Sequence, residues 1–180
     1  GRQKVVTSRI VSQQEQSRVW QFVRQQTATG RQAYVVCPRV EGQTEDDPAA
    51  AESVFKNLQN TELAGLRIEL LHGRMDSERR HAVMDRFRDR QCDVLVTTTV
   101  IEVGVNVPNA TLMIIQQAER FGLAQLHQLR GRICRGSHQG YCFLFSESEI
   151  PDSVARLTAL EQTTDGFALA EKDAELRGPG

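Results

Sequence analysis

Gln128, Arg132 and Arg135 follow one another at spacings of four and three. On a helix that spacing stacks them along one face. Leu123, Leu126, Leu129 and Ile133 recur at three and four and form an apolar stripe. Gln125 falls with the polar set, and Gly131 leaves room for a group to approach the backbone. The segment Ala118–Gly136 therefore predicts a helix that packs on a sheet and offers an amide and two guanidiniums to an anion. Guanidiniums bind phosphate and carboxylate groups as planar, bidentate donors.

The chain carries no phosphate cradle of its own. No G-x-x-x-x-G-K-[ST] loop occurs, and no acidic box follows any apolar run. A nucleotide bound here would have to be held mostly by another domain. The 180 residues suit one domain with a small appendage. A net charge of −1 excludes a nucleic-acid module that relies on bulk charge, but it leaves room for a local basic groove. Lys4, Lys56 and Lys172 are the only lysines, and the remaining basic side chains are arginines.

Cys37, Cys92, Cys134 and Cys142 form no C-x-x-C pair, which argues against structural zinc. Three of them lie in or beside apolar runs, as small buried thiols do, and imply a reducing compartment. His72, His81, His127 and His138 are too scattered for a metal site, so no metal ligand is assigned. The apolar runs are shorter than the ~18 residues that a membrane helix needs.

The elements that must position these residues alternate. Strands are predicted over 5–11, 32–37, 66–72, 93–97, 111–116 and 140–145. Helices are predicted over 12–29, 49–63, from Asp76 or Ser77 through Phe87, and over 118–136. The segments 38–48 and 100–109 read as irregular. Repeated βα units give an α/β fold, a parallel sheet of about six strands with helices on both faces. Ligands then bind beyond the carboxyl ends of strands, which singles out residues 38–39, 72–74, 97–99 and 116–120. After Ser146 the pattern becomes a helical hairpin, with helices over 152–162 and 167–176 joined by a turn at 163–166. The domain boundaries expected are 1–148 and 149–180.

Three stretches carry a resemblance. LHGRM (71–75), TTTVIEVGVNVPNA (97–110) and AERFGLAQLHQLRGRICRG (118–136) resemble motifs IVa, V and VI of superfamily 2 DNA helicases, with wording nearest the RecG branch. DGFALAEKDAELRGPG (165–180) resembles the hairpin segment that follows the motor core in RecG and its relative Mfd. The resemblance implies that residues 1–148 are a RecA-like second motor domain, followed by the start of the hairpin. It implies that Arg132 and Arg135 are catalytic arginine fingers, with Gly104, Asn106 and Gln128 near the nucleotide. Gly73, Arg74, Arg80, Thr98 and Arg39 would line the DNA track, and Arg156 and Arg177 would couple the hairpin.

ATP and Mg2+ would be held mainly by a first RecA-like domain of the same polypeptide. The implied partners are branched or duplex DNA and that N-terminal domain, with single-stranded-DNA-binding protein as a further candidate. No membrane partner is implied, and the implied location is the bacterial cytoplasm at the nucleoid. The chain alone is expected to be inactive. Two positions depart from the family: its usual glycine is Cys134, and its usual acid is Asn106. Two rivals stay open: an Mfd-like translocase, and a non-catalytic nucleic-acid-binding or scaffold domain.

Overall fold

In the computed structural model the described residues are 5–38, 48–98, 107–133 and 137–162. They form strands β1 (Val6–Ile10), β2 (Gln32–Val36), β3 (Ile68–Leu71), β4 (Val94–Thr97), β5 (Ala110–Ile115) and β6 (Tyr141–Phe145). The helices are α1 (Gln13–Ala28), α2 (Ala49–Asn60), α3 (Ser77–Arg88), α4 (Leu123–Arg130) and α5 (Pro151–Gln162). All six strands lie in one parallel sheet, in the order β1-β6-β5-β2-β4-β3. The α/β expectation of a parallel sheet of about six strands holds.

The handedness of parallel crossovers sorts the helices. The steps β1→β2 and β2→β3 run one way along the sheet, and α1 and α2 share one face. The steps β3→β4 and β5→β6 run back, and α3 and α4 share the other. The strands serve both faces by alternation. In β2, Ala33 and Val35 join Val19, Trp20, Val23 and Leu58 under α1 and α2. Tyr34 and Val36 join Phe87, Leu123 and Leu126 on the opposite face. β2 and β5 are wholly buried, as a central strand covered on both sides must be.

Local chemistry sets most element ends. Ser12 caps α1 by accepting the Glu15 N–H at 3.2 Å, and Asp76 caps α3 by accepting the Arg79 N–H at 2.8 Å. Pro151 opens α5, where its missing N–H costs nothing. At the amino end of the sheet, buried Gln32 donates to the carbonyls of Phe87 and Cys92, at 2.6 and 2.7 Å. Gln32 in turn accepts from Asn109 at 2.9 Å.

Two sequence expectations need correction. α2 ends at Asn60 rather than Leu63. The Thr61 hydroxyl bonds back to the Asn57 carbonyl at 2.6 Å, and a turn closed by Gly65, at φ +88°, delivers Leu63 to the core as a separate anchor.

The segment 118–136 is not one helix. It is a 3-10 turn at Ala118–Arg120, then α4, then a second 3-10 turn at Gly131–Ile133. Gln117 adopts the left-handed region at φ 47°, and Phe121 and Gly122 are extended, which breaks the segment ahead of α4. The apolar stripe is still right: Leu123, Leu126, Leu129 and Ile133 are all buried.

Candidate functional site at two ends of one sheet

The predicted site residues separate into groups at opposite ends of the strands. The first group lies at the carboxyl end. β3 and β4 pair with Leu71 opposite Thr97, so His72–Arg74 and Thr98 emerge side by side. Arg74 is exposed, Gly73 is half-buried, and Thr98 is 1% exposed. The accessible part of this group is therefore the Gly73–Arg74 turn rather than the Thr98 side chain. His72 organises that turn. Its Nδ1 accepts the Arg74 N–H at 3.2 Å, and its carbonyl accepts the Met75 N–H at 3.3 Å.

The turn leads straight into α3, whose first-turn N–H groups make the helix start favourable for an anion. Arg80 is in that first turn, half-buried, with Nη2 3.5 Å from the Ser77 hydroxyl. Arg39, expected on the same edge after β2, lies outside the described residues.

The second group lies at the amino end. α4 leaves the carboxyl end of β5 and returns along the sheet. Its continuation brings the Ile133 carbonyl within 2.9 Å of where a side chain on Gly140 would begin, immediately before β6. Arg132 lies in this terminal 3-10 turn, half-buried, at the opposite end of the sheet from Gly73 and Thr98. A strand of five residues, ~16 Å, separates the two ends. Burial pushes the Tyr34 phenol up to about 12, and the Arg132 charge acts against that rise. The guanidinium therefore belongs to the rim of the α3/α4 core.

Gln128 is exposed on α4. After Arg130 the α-helix tightens without a break into the 3-10 turn that carries Arg132, so Gln128 and Arg132 do not share the single α-helical register that the spacing predicts. Gly104, Asn106, Cys134 and Arg135 lie outside the described residues.

A third group fastens α5 to this segment. Arg156 lies on α5, half-buried. Its two Nη atoms donate at 3.3 Å to the carbonyls of Glu119 and Phe121, just ahead of α4. Arg130, which the sequence reading did not single out, acts in the other direction. It is 3% exposed, and its Nη1 donates to the Leu160 carbonyl at 2.7 Å and to the Thr7 hydroxyl at 3.3 Å. Its Nη2 is 3.3 Å from Nδ1 of His127.

A cation at the carboxyl end of α5 suits the last-turn carbonyls and the helix dipole. The sequence does contain a signal for Arg130. It follows Leu126 by four and precedes Ile133 by three, so it is an arginine on the apolar stripe. Arg177 and the second hairpin helix at 167–176 lie outside the described residues.

The cysteines behave as small hydrophobes. Cys37, Cys92 and Cys142 are free and buried, and burial pushes each thiol up to about 12. Among the described residues no three His, Cys, Asp or Glu side chains are grouped to hold a metal ion. No described helix is long and apolar enough to cross a membrane.

A parallel six-stranded sheet with helices on both faces defines a RecA-like α/β domain. The model of the helicase conserved C-terminal domain matches residues 14–137, and the chain belongs to that family. Among curated relatives, the ATP-dependent DNA helicase RecG of Synechocystis sp. is 47% identical over 180 residues, covering all of this chain and 22% of that protein. The RecG of Bacillus subtilis is 45% identical over 163 residues, 91% of this chain and 24% of that protein. The structure of RecG bound to a three-way DNA junction superposes with a TM-score of 0.83 at 40% identity. It covers the whole of this chain and 23% of that one. The chain thus spans about a quarter of the length of these relatives.

Proposed function

We propose that this chain is the second motor domain of a RecG-like, ATP-dependent DNA helicase that remodels branched DNA such as stalled forks and Holliday junctions. The observation that carries the reading is the match to RecG on a three-way junction over every residue of the chain. In this reading the Gly73–Arg74 turn, Arg80, Thr98 and Arg39 form half of a DNA track. Arg132 and Arg135 face the γ-phosphate of ATP held by a first motor domain, with Gln128, Gly104 and Asn106 beside it. An arginine placed there stabilises charge that develops during phosphoryl transfer, a contribution of roughly 10³–10⁵ in rate.

The described residues offer cations and amides to a triphosphate but no grouped acids for Mg2+. In this reading Mg2+ is held with the ATP mainly by the first domain. The carbonyl contacts of Arg156 support a coupling role for the hairpin, in which Arg177 is the second participant. The motor core is residues 1–148 and the hairpin begins at 149. Branched DNA and the N-terminal domain are the partners, single-stranded-DNA-binding protein is a further one, and the location is the nucleoid. The reported relatives favour RecG over an Mfd-like translocase.

The test compares the full-length polypeptide with residues 1–180. The full-length protein is expected to convert a three-way junction in an ATP-dependent manner. The 180-residue chain is expected to hydrolyse no ATP, with or without DNA. DNA-stimulated turnover by residues 1–180 would contradict the division of labour.

A further inference from the structure

A cavity lies at the carboxyl end of the sheet, on the face opposite α4. It measures about 290 Å³ and opens between α1 and α2, with Gln16, Trp20, Asn57, Glu62 and Gln116 among its lining residues. Its position follows from the topology. β2 continues to α2 on one face, whereas β5 continues to α4 on the other. Where neighbouring strands send their connections to opposite faces, a crevice opens beyond their carboxyl ends, and α/β sheets bind ligands there. β5 and β2 are such a pair, held together at the crevice by the Gln116 N–H on the Val36 carbonyl at 2.8 Å.

The lining defines the ligand. Among the described residues it holds no lysine or arginine, and the neighbouring Arg24 is turned to the Glu62 and Ala64 carbonyls. The Glu62 carboxylate disfavours phosphate. The side-chain amides of Gln16, Asn57 and Gln116, and the indole N–H of Trp20, have no hydrogen-bond partner among the described residues. Each amide supplies donors and an acceptor, the complement of a neutral planar group with a mixed hydrogen-bonding edge. Nucleobases have such edges, and amide side chains read them. Thr98 follows β4, two strands from β5 (~10 Å), and Gly73 and Arg74 follow β3, three strands away (~14 Å), so the cavity and the track share one edge of the sheet.

We infer that this cavity receives an unpaired nucleobase of the strand whose backbone runs along the Gly73–Thr98 edge. The assignment rests on the DNA-track reading above and adds a base-contacting subsite to it.

Trp20 is the only tryptophan of the chain and reports directly. The 180-residue chain is titrated with a single-stranded 12-nucleotide DNA and with the same strand made abasic throughout. Trp20 emission and fluorescence anisotropy of the labelled strand are read together. The intact strand is expected to bind about 10-fold more tightly, as two or three gained hydrogen bonds imply, and it alone is expected to shift Trp20 emission.

Gln16→Ala with Gln116→Ala is expected to erase the preference while leaving abasic affinity unchanged. Asn57→Ala, at an exposed position that folding does not depend on, is expected to reduce the preference severalfold. Arg74→Ala is expected to weaken both strands alike. Equal binding of intact and abasic strands overturns the cavity assignment and leaves the track standing. Binding of neither strand overturns both.

Discussion

Two regions around this sheet are built on opposite principles. At the carboxyl end, the Gly73–Arg74 turn is held by short local bonds through His72 and is open to solvent. By contrast, the segment from Glu119 to Ile133, which runs from the carboxyl end of β5 to the amino end of β6, is strapped to α5 by two arginines that cross in opposite directions. Arg156 reaches from α5 to the Glu119 and Phe121 carbonyls, and Arg130 reaches from α4 to the Leu160 carbonyl. A surface that grips a passing polymer needs exposed donors that let go. A segment that must present an arginine at a fixed place needs its backbone tied to a rigid neighbour. In the proposed reading the first surface is the DNA track, and α5 supports the segment that carries Arg132.

Substitutions can break or sharpen that contrast. The largest effect on stability is expected at Arg130. Arg130→Ala strips the Leu160 carbonyl and the Thr7 hydroxyl of a buried donor, a loss of about 3 kcal/mol. Urea denaturation measures it, and a loss under 1 kcal/mol would mean that α4 and α5 are not strapped together. Arg156→Ala removes two longer bonds at a half-buried position, a loss of about 1 kcal/mol. In the full-length protein it is expected to preserve DNA-stimulated ATP turnover while reducing junction conversion severalfold, and parallel loss of both would place Arg156 in the nucleotide site instead.

Arg74→Ala is expected to change stability by less than ~0.5 kcal/mol, as exposed positions do. It is expected to weaken DNA binding severalfold and to lower the salt-dependence slope by about 1. An unchanged slope would remove Arg74 from the track.

Much of this was legible in the sequence. Strand runs such as QAYVVC could only be buried on both faces, and the alternation with helical periods fixed the parallel class. The stripe of Leu123, Leu126, Leu129 and Ile133 correctly identified the core face of the motif segment. The breaks in that segment were not legible, because periodicity is insensitive to single residues such as Gln117 and Gly122 that leave helical geometry. The separation of Arg132 from Gly73 was also hidden. It depends on how far α4 and its 3-10 turn carry the chain back toward the amino end of β6, and side-chain periodicity does not encode that path. Arg130 was missed because an L-R-G-R run draws attention to the arginine after the glycine, whereas the buried one lies on the apolar stripe.

The central claim is that Arg132 serves a nucleotide held by another domain. Arg132→Ala in the full-length polypeptide tests it most directly, with steady-state ATP turnover at saturating junction DNA measured beside junction affinity. The account predicts turnover lower by a factor of roughly 10³ or more, with junction affinity within about twofold of the unsubstituted protein. Turnover that persists while junction affinity falls would contradict it and would move Arg132 from the nucleotide to the DNA.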